Sequence, residues 1–212
     1  MHAVVVAGSL PADELDLASV AACDLLVAVD GGADALRRAG LVPSVLVGDL
    51  DSISPAALDD LRSLGVEVIT LPTAKDETDT EAALRLAVDR GATDIKVFNA
   101  LGGPRLDHLV GNLLVLPAPW LAPVRVVLVD GRHEAFLVRG DSPVQGRVGD
   151  TISLLPLTST VEDVWTQGLL YPLRGEPLRQ GQTRGVSNEM TGGHARVTHG
   201  PGELLLIRYR GR

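Results

Sequence analysis

"VLVGDLDSISP", residues 45–55, holds one complete β-to-α transition. Val45–Val47 is short and wholly apolar, as expected of a strand covered on both faces, and Gly48 breaks it. Ser54 offers a capping side chain, and Pro55 carries the fixed φ suited to a first helical position. Between strand and helix stand Asp49 and Asp51, separated by Leu50 alone. Carboxylates that close repel unless water, a basic side chain or a cation neutralises them.

The same unit repeats on either side. Ala3–Ala7, Leu25–Val29, Val66–Leu71 and Ile95–Phe98 read as further covered strands, and Asp13–Ala22, Ala33–Ala39, Pro55–Leu64 and Asp79–Arg90 as helices. Gly40, Gly65 and Gly91 fall where those helices should stop. The alternation predicts a doubly wound, mostly parallel α/β domain over residues 1–122. "PAPWLAP" (117–123), with three prolines, marks its edge. Beyond it, Arg125–Val129, Glu134–Val138, Thr151–Leu155 and Glu203–Tyr209 are short β-like runs among Gly, Pro, Asp and Ser, predicting an all-β sandwich over 123–212.

Composition narrows the function classes. The net charge of −8 argues against general affinity for nucleic acid or anionic lipid. No apolar run approaches the roughly 18 residues of a membrane span, and "MHAVVVAGSL" enters a strand without a signal-peptide pattern, so the expected setting is the cytoplasm. Cys23 stands alone, which excludes an intramolecular disulfide and a cysteine-rich zinc site.

In a parallel sheet the strand C-termini share one edge, where ligands bind. Four such ends carry polar residues: Asp30-Gly31-Gly32, Gly48–Ser52, Thr73–Asp79 and Leu101–Asp107. Asp49 and Asp51, two apart in an extended segment, share a face and can reach one cation, and hard oxygen donors without His or Cys favour magnesium. An acidic turn capping the Pro55 helix is the competing reading. In "TAKDETDTEAAL" (73–84), Asp76 and Asp79 lie on one face of a helix start, with Thr78 as a phosphate or cap donor and Lys75 as a phosphate partner or a screen for the acids. There the alternative is an acid-rich N-terminus with Thr78 and Glu81 forming a capping box. "LGGPRLDHLVGN" (101–112) adds Gly102 and Gly103 for close backbone approach, and Arg105 as a planar fork for phosphate. In the same stretch Asp107 reads as a helix cap or an active group, and His108 as an orienting residue or a base. Anionic ligands, a cation and an arginine describe phosphoryl-type transfer, and no G-x-x-x-x-G-K-[ST] is present, so the chain is not a P-loop enzyme.

Taken in series, "VDGGAD" (29–34), "PSVLVGDLDSI" (43–53), "KDETDTEAAL" (75–84), "LGGPRLDHLVGNLLVL" (101–116), "GLLYPL" (168–173) and "GVSNEM" (185–190) resemble the thiamine pyrophosphokinases. The resemblance implies transfer of the pyrophosphoryl group of ATP to thiamine, giving thiamine diphosphate and AMP. It also implies a homodimer with its active site between subunits, a nucleotide-binding first domain and a thiamine-binding sandwich. By motif position Asp49, Asp51 and Asp79 hold Mg2+ with Asp76 near it, and Asp30 shares their pocket. Thr78 and Arg105 meet phosphate, and Asp107 supports Arg105 or the substrate. Gly31, Gly32, Lys75, Gly102, Gly103, His108 and Asn112 join the binding set, and Ser187 and Asn188 contact thiamine. Thr191-Gly192-Gly193 stands where some members place a stacking tryptophan, leaving Trp165 and Tyr171 as candidate platforms. A metal-dependent phosphohydrolase and a non-catalytic sensor of nucleotide or thiamine diphosphate are the alternative functions.

Overall fold

The computed structural model describes residues 1–8 and 16–211. Backbone contacts divide the chain into two units, Met1–Gly131 and Arg132–Arg212.

The first unit holds β1 (His2–Ala7), β2 (Leu25–Val29), β3 (Val45–Gly48), β4 (Glu67–Thr70), β5 (Asp94–Phe98) and β6 (Arg125–Asp130). They pair in parallel in the order β6-β5-β1-β2-β3-β4. The helices are α1 (Leu17–Ala21), α2 (Gly32–Arg38), α3 (Pro55–Ser63), α4 (Asp79–Asp89) and α5 (Leu106–Leu114). Every residue of β2 and β3 is buried, which is why these strands read as unbroken apolar runs. At the sheet margin β4 is only half covered, with Glu67 and Thr70 exposed. Ser54 caps α3 by accepting from Ala57 N at 3.3 Å, and Pro55 occupies its first turn, as the sequence predicts. Of the helix expected at Asp13–Ala22, residues 13–15 lie outside the described residues, and the remainder forms α1.

One expectation needs correcting. Arg125–Val129 is not the first strand of the sandwich, because β6 pairs in parallel with β5 from Asp94↔Arg125 to Phe98↔Val129. Its interior is buried and apolar, the pattern of a covered parallel strand rather than a half-exposed one. The prolines of "PAPWLAP" build a 3-10 turn at Pro119–Leu121 with Leu121 buried, so they mark a connection within the unit, and the boundary falls after Gly131.

The second unit is an antiparallel sandwich of β7 (His133–Val138), β8 (Ser142–Gln145), β9 (Thr151–Pro156), β10 (Thr160–Gln167), β11 (Arg174–Arg179), β12 (Asn188–Glu189), β13 (His194–Thr198) and β14 (Leu204–Tyr209). One sheet runs β12-β9-β14-β7 and the other β11-β10-β13-β8. Ile152, Leu154, Val161, Val164, Leu178, Met190, Val197, Leu204 and Leu206 form the core of the unit. Pro143 lies in β8 and Pro177 in β11, the two outermost strands, where a missing N–H leaves no gap in a ladder.

Candidate active site

Asp30 follows β2 directly, and because that strand is wholly buried its carboxylate starts life in the interior: Asp30 is 8% exposed. Its backbone takes φ 42°, and Leu50 takes φ 66°, which turns the Leu50 N–H onto Asp30 Oδ1 at 3.0 Å. Gly48 is the residue that makes room. A Cβ there would lie 1.8 Å from Asp30 Oδ1. The β3–α3 loop is held from the other side by Asp34 of α2, which accepts from Ser54 N at 2.9 Å and Ser54 Oγ at 2.5 Å. Gly32 packs the start of α2 against β1, since its Cβ would sit 2.0 Å from Val6 O, and Gly31 N donates to Ser52 Oγ at 3.4 Å.

One carboxylate oxygen from each of Asp30, Asp49 and Asp79 lies within 4.8 Å of the others. Asp79 opens α4 behind its cap Thr78, whose Oγ1 accepts from Glu81 N at 3.1 Å. The Glu81 carboxylate turns to Arg85 at 2.8 Å and so completes no capping box. Lys75 Nζ stands 3.0 Å from Asp79 Oδ1 and donates to Pro72 O at 3.1 Å. Apart from that ion pair, Asp79 Oδ1 is excluded from solvent and finds no hydrogen-bond donor among the described residues. Asp51 is exposed and lies outside the group of three; its N–H donates to Asp49 Oδ1 at 3.2 Å, and the Asp49 charge raises its pKa. Asp76 is exposed on the loop before α4 and also lies outside the group.

The electrostatics follow from this crowding. Burial pushes the Asp30 carboxyl up to about 6, the Leu50 N–H opposes the shift, and the charges of Asp79, Asp49 and Asp51 add to it. At Lys75 burial acts against the ammonium, but the hydrogen bond and charge of Asp79, with Asp49 and Asp30, outweigh it and raise the pKa. Between the ordinary carboxylate value and about 6, native Asp30 keeps a proton that the unfolded chain has released. Stability contributed at this residue therefore falls as pH rises through that window, and the penalty is fully present above it. Asp30→Asn, which keeps the acceptor for Leu50 N–H, is expected to melt higher than wild type at pH 7.5 without divalent metal, and to converge with it near pH 4. Melting curves by circular dichroism check this, and parallel pH profiles would count against it.

The β5–α5 connection carries the basic group. Gly102 is pressed against the β6 end, where its Cβ would lie 2.1 Å from Asp130 Oδ2, and Gly103 takes φ 88° in open space. Arg105 donates Nε to Asp107 Oδ1 at 2.9 Å and a terminal nitrogen to Oδ2 at 2.6 Å, which holds the Asp107 pKa down to about 2. Both side chains are exposed. His108 is exposed, and buried Asn112 donates to Ala100 O at 2.9 Å, tying α5 to the end of β5. Asn99, with φ 61°, lies over Gly8 at the ends of β5 and β1, where the direction of strand addition reverses. Sequence reasoning singled out neither Asn99 nor Asp130; a polar residue directly after an apolar strand was the available signal.

In the second unit Leu154, Tyr171, Leu173, Arg184 and Gly185–Asn188 line a cleft of about 260 Å³. Ser187 takes φ 61° and donates its N–H to Ser153 Oγ at 3.1 Å. Asn188 Oδ1 accepts from Tyr171 N at 3.0 Å while its Nδ2 donates to Tyr171 O at 2.7 Å, clamping that backbone from both sides. Tyr171 thus faces the cleft with Ser187 and Asn188. Trp165 is not among the lining residues; its Nε1 donates to Asp163 Oδ1 at 2.7 Å.

Comparison with known proteins agrees with this division. The family model "Thiamin pyrophosphokinase, catalytic domain" matches residues 18–128, and "Thiamin pyrophosphokinase, vitamin B1 binding domain" matches 142–200. Thiamine pyrophosphokinase of Bacillus subtilis is 27% identical over 186 residues, 87% of this chain and 86% of that one. Its crystal structure superposes with a TM-score of 0.87 over the whole of both chains at 25% identity. The Geobacillus thermodenitrificans enzyme gives 0.84 at 29% identity, covering 100% of this chain and 98% of that one. With models for both domains matched in order and across most of its length, the chain belongs to the thiamine pyrophosphokinase family.

Proposed function

We propose that the Asp30, Asp49 and Asp79 carboxylates hold Mg2+ for the reaction of this family. The chain is an ATP-dependent pyrophosphotransferase that converts thiamine to thiamine diphosphate and releases AMP. The observation that carries the metal assignment is Asp79, whose solvent-excluded Oδ1 has the Lys75 ammonium as its one partner among the described residues while the carboxylate belongs to a group of three. Hard oxygen donors with room for water suit Mg2+, and the ion would neutralise charge on the phosphates. Asp51 and Asp76 would act from outside, through water.

The thiamine hydroxyl oxygen bonds to the β-phosphorus of ATP, the hydroxyl proton is released, and the bond from that phosphorus to the α–β bridging oxygen breaks with the oxygen leaving on AMP. The residues of this chain contribute positioning and charge. Arg105, oriented by Asp107, retains donors for phosphate oxygens; Lys75 and Thr78 flank them, and the Gly102-Gly103 backbone admits close approach. Ser187 and Asn188, with Tyr171 beside them, serve thiamine in the second unit, and its cationic, aromatic character suits a tyrosine face. The phosphohydrolase and sensor alternatives gain no support, and His108, the one histidine placed to serve a hydrolase, stands outside the carboxylate group.

Incubation with ATP, Mg2+ and thiamine tests the reading: AMP should form in step with thiamine diphosphate, whereas inorganic phosphate formed without thiamine rejects it. The reading includes a cytoplasmic homodimer with active sites between subunits, supported by the segregation of phosphate-binding and thiamine-binding residues into different units. Mixing Asp79→Asn subunits with Asn188→Ala subunits should then restore up to about a quarter of wild-type activity, since half the dimers carry one intact site. No recovery on mixing would place each site within one chain.

A further inference from the structure

Two of the nineteen Lys and Arg residues in this chain are lysine, and one of them, Lys75, stands at the carboxylate group. Its side chain is 13% exposed, with Nζ 3.0 Å from Asp79 Oδ1 and 3.1 Å from Pro72 O. Asp79 Oδ1 receives no other partner among the described residues. An ammonium is a compact point charge on a flexible stem, and it can take the position of a small metal ion. Three carboxylates that share oxygens within 4.8 Å need counter-charge whether or not nucleotide is present.

We infer that Lys75 is a resident counter-ion that competes with the divalent cation for Asp79 and yields its place only when a nucleotide phosphate arrives to receive the ammonium. The inference rests on the metal assignment proposed above. A divalent ion at the three carboxylates and an ammonium on Asp79 Oδ1 repel each other and draw on the same carboxylate. The ammonium must move off when the ion binds, and it then needs another anion. The triphosphate supplies one, so metal and nucleotide each favour the binding of the other, and the metal enters most favourably as its ATP complex. Without nucleotide, Lys75 offsets part of the acidic group's charge and keeps the free ion weakly held.

Mn2+ titration followed by electron paramagnetic resonance, on the full chain without nucleotide, reads this directly. Lys75→Met should bind Mn2+ more tightly than wild type by roughly tenfold, within the usual range for coupled sites. Lys75→Arg should keep the charge and remain weak. A non-hydrolysable ATP analogue should strengthen Mn2+ binding in wild type, and much less in Lys75→Met. Circular dichroism confirms that each variant is folded, and Mn2+ should raise the melting temperature of Lys75→Met more than that of wild type. Equal or weaker Mn2+ binding by folded Lys75→Met overturns the inference while leaving the metal assignment intact. Absence of Mn2+ binding in both proteins, with or without the analogue, overturns both.

Discussion

Asp79→Asn is expected to lower kcat for thiamine diphosphate formation by roughly 10²- to 10³-fold, the scale on which loss of one charge-stabilising group is felt in a reaction that develops charge on phosphate. The amide keeps the volume of the carboxylate but removes the charge from the buried oxygen that faces the Lys75 ammonium alone among the described residues. Stability should change little, because α4 is capped by Thr78 through Glu81 N and not by Asp79. Steady-state rates across a Mg2+ series, with a melting curve for each variant, check both halves. Asp76→Asn should be markedly milder, since Asp76 is exposed and outside the group of three. Wild-type rates for Asp79→Asn at limiting Mg2+ would remove Asp79 from the site.

Gly48→Ala is expected to be nearly as damaging to turnover, although it alters no polar atom. The added Cβ falls 1.8 Å from Asp30 Oδ1, far inside contact distance, and φ at Gly48 is 153°, a conformation that side-chain-bearing residues seldom adopt. β3 is locked between β2 and β4, with Gly48 paired to Thr70, so the strand has little freedom to retreat. The Asp30 side chain must swing away, losing the Leu50 N–H and its place beside Asp49 and Asp79. A stability loss of about 1–3 kcal/mol from overpacking should accompany a fall in activity of roughly 10²-fold. Denaturant melts and Mg2+-dependent kinetics measure the two effects. Full activity in Gly48→Ala would show that the position of Asp30 is immaterial to the reaction.

Much of this was legible in the sequence where one principle acted alone. The strands β1, β2 and β3 are covered on both faces, so burial wrote them as apolar runs, and Ser54-Pro55 announced α3 with cap chemistry. Clustering of acids at strand ends followed from parallel topology. Less legible were β8, β10, β11 and β13, where half-exposed pairing leaves polar residues in mid-strand. In β10 Glu162 and Asp163 interrupt the pattern, the register shifts between Val161 and Val164, and Asp163 takes φ 51°. Which carboxylates meet was also hidden: Asp49 and Asp51 are neighbours in sequence, but the left-handed turn at Leu50 and the pocket behind Gly48 bring Asp30 and Asp79 to Asp49 and leave Asp51 at the surface. Such a choice depends on contacts between strands far apart in the chain.

The prolines in β8 and β11 have a consequence during the protein's passage from ribosome to native state. Each interrupts the row of N–H groups on a border strand at Pro143 or Pro177, and with it the template on which a stray extended segment could add itself. Replacing either with valine would leave the folded sandwich close to its present form but open a seam for intermolecular β-pairing. Refolding at high protein concentration, where light scattering reports clumping before activity returns, is where that cost would show.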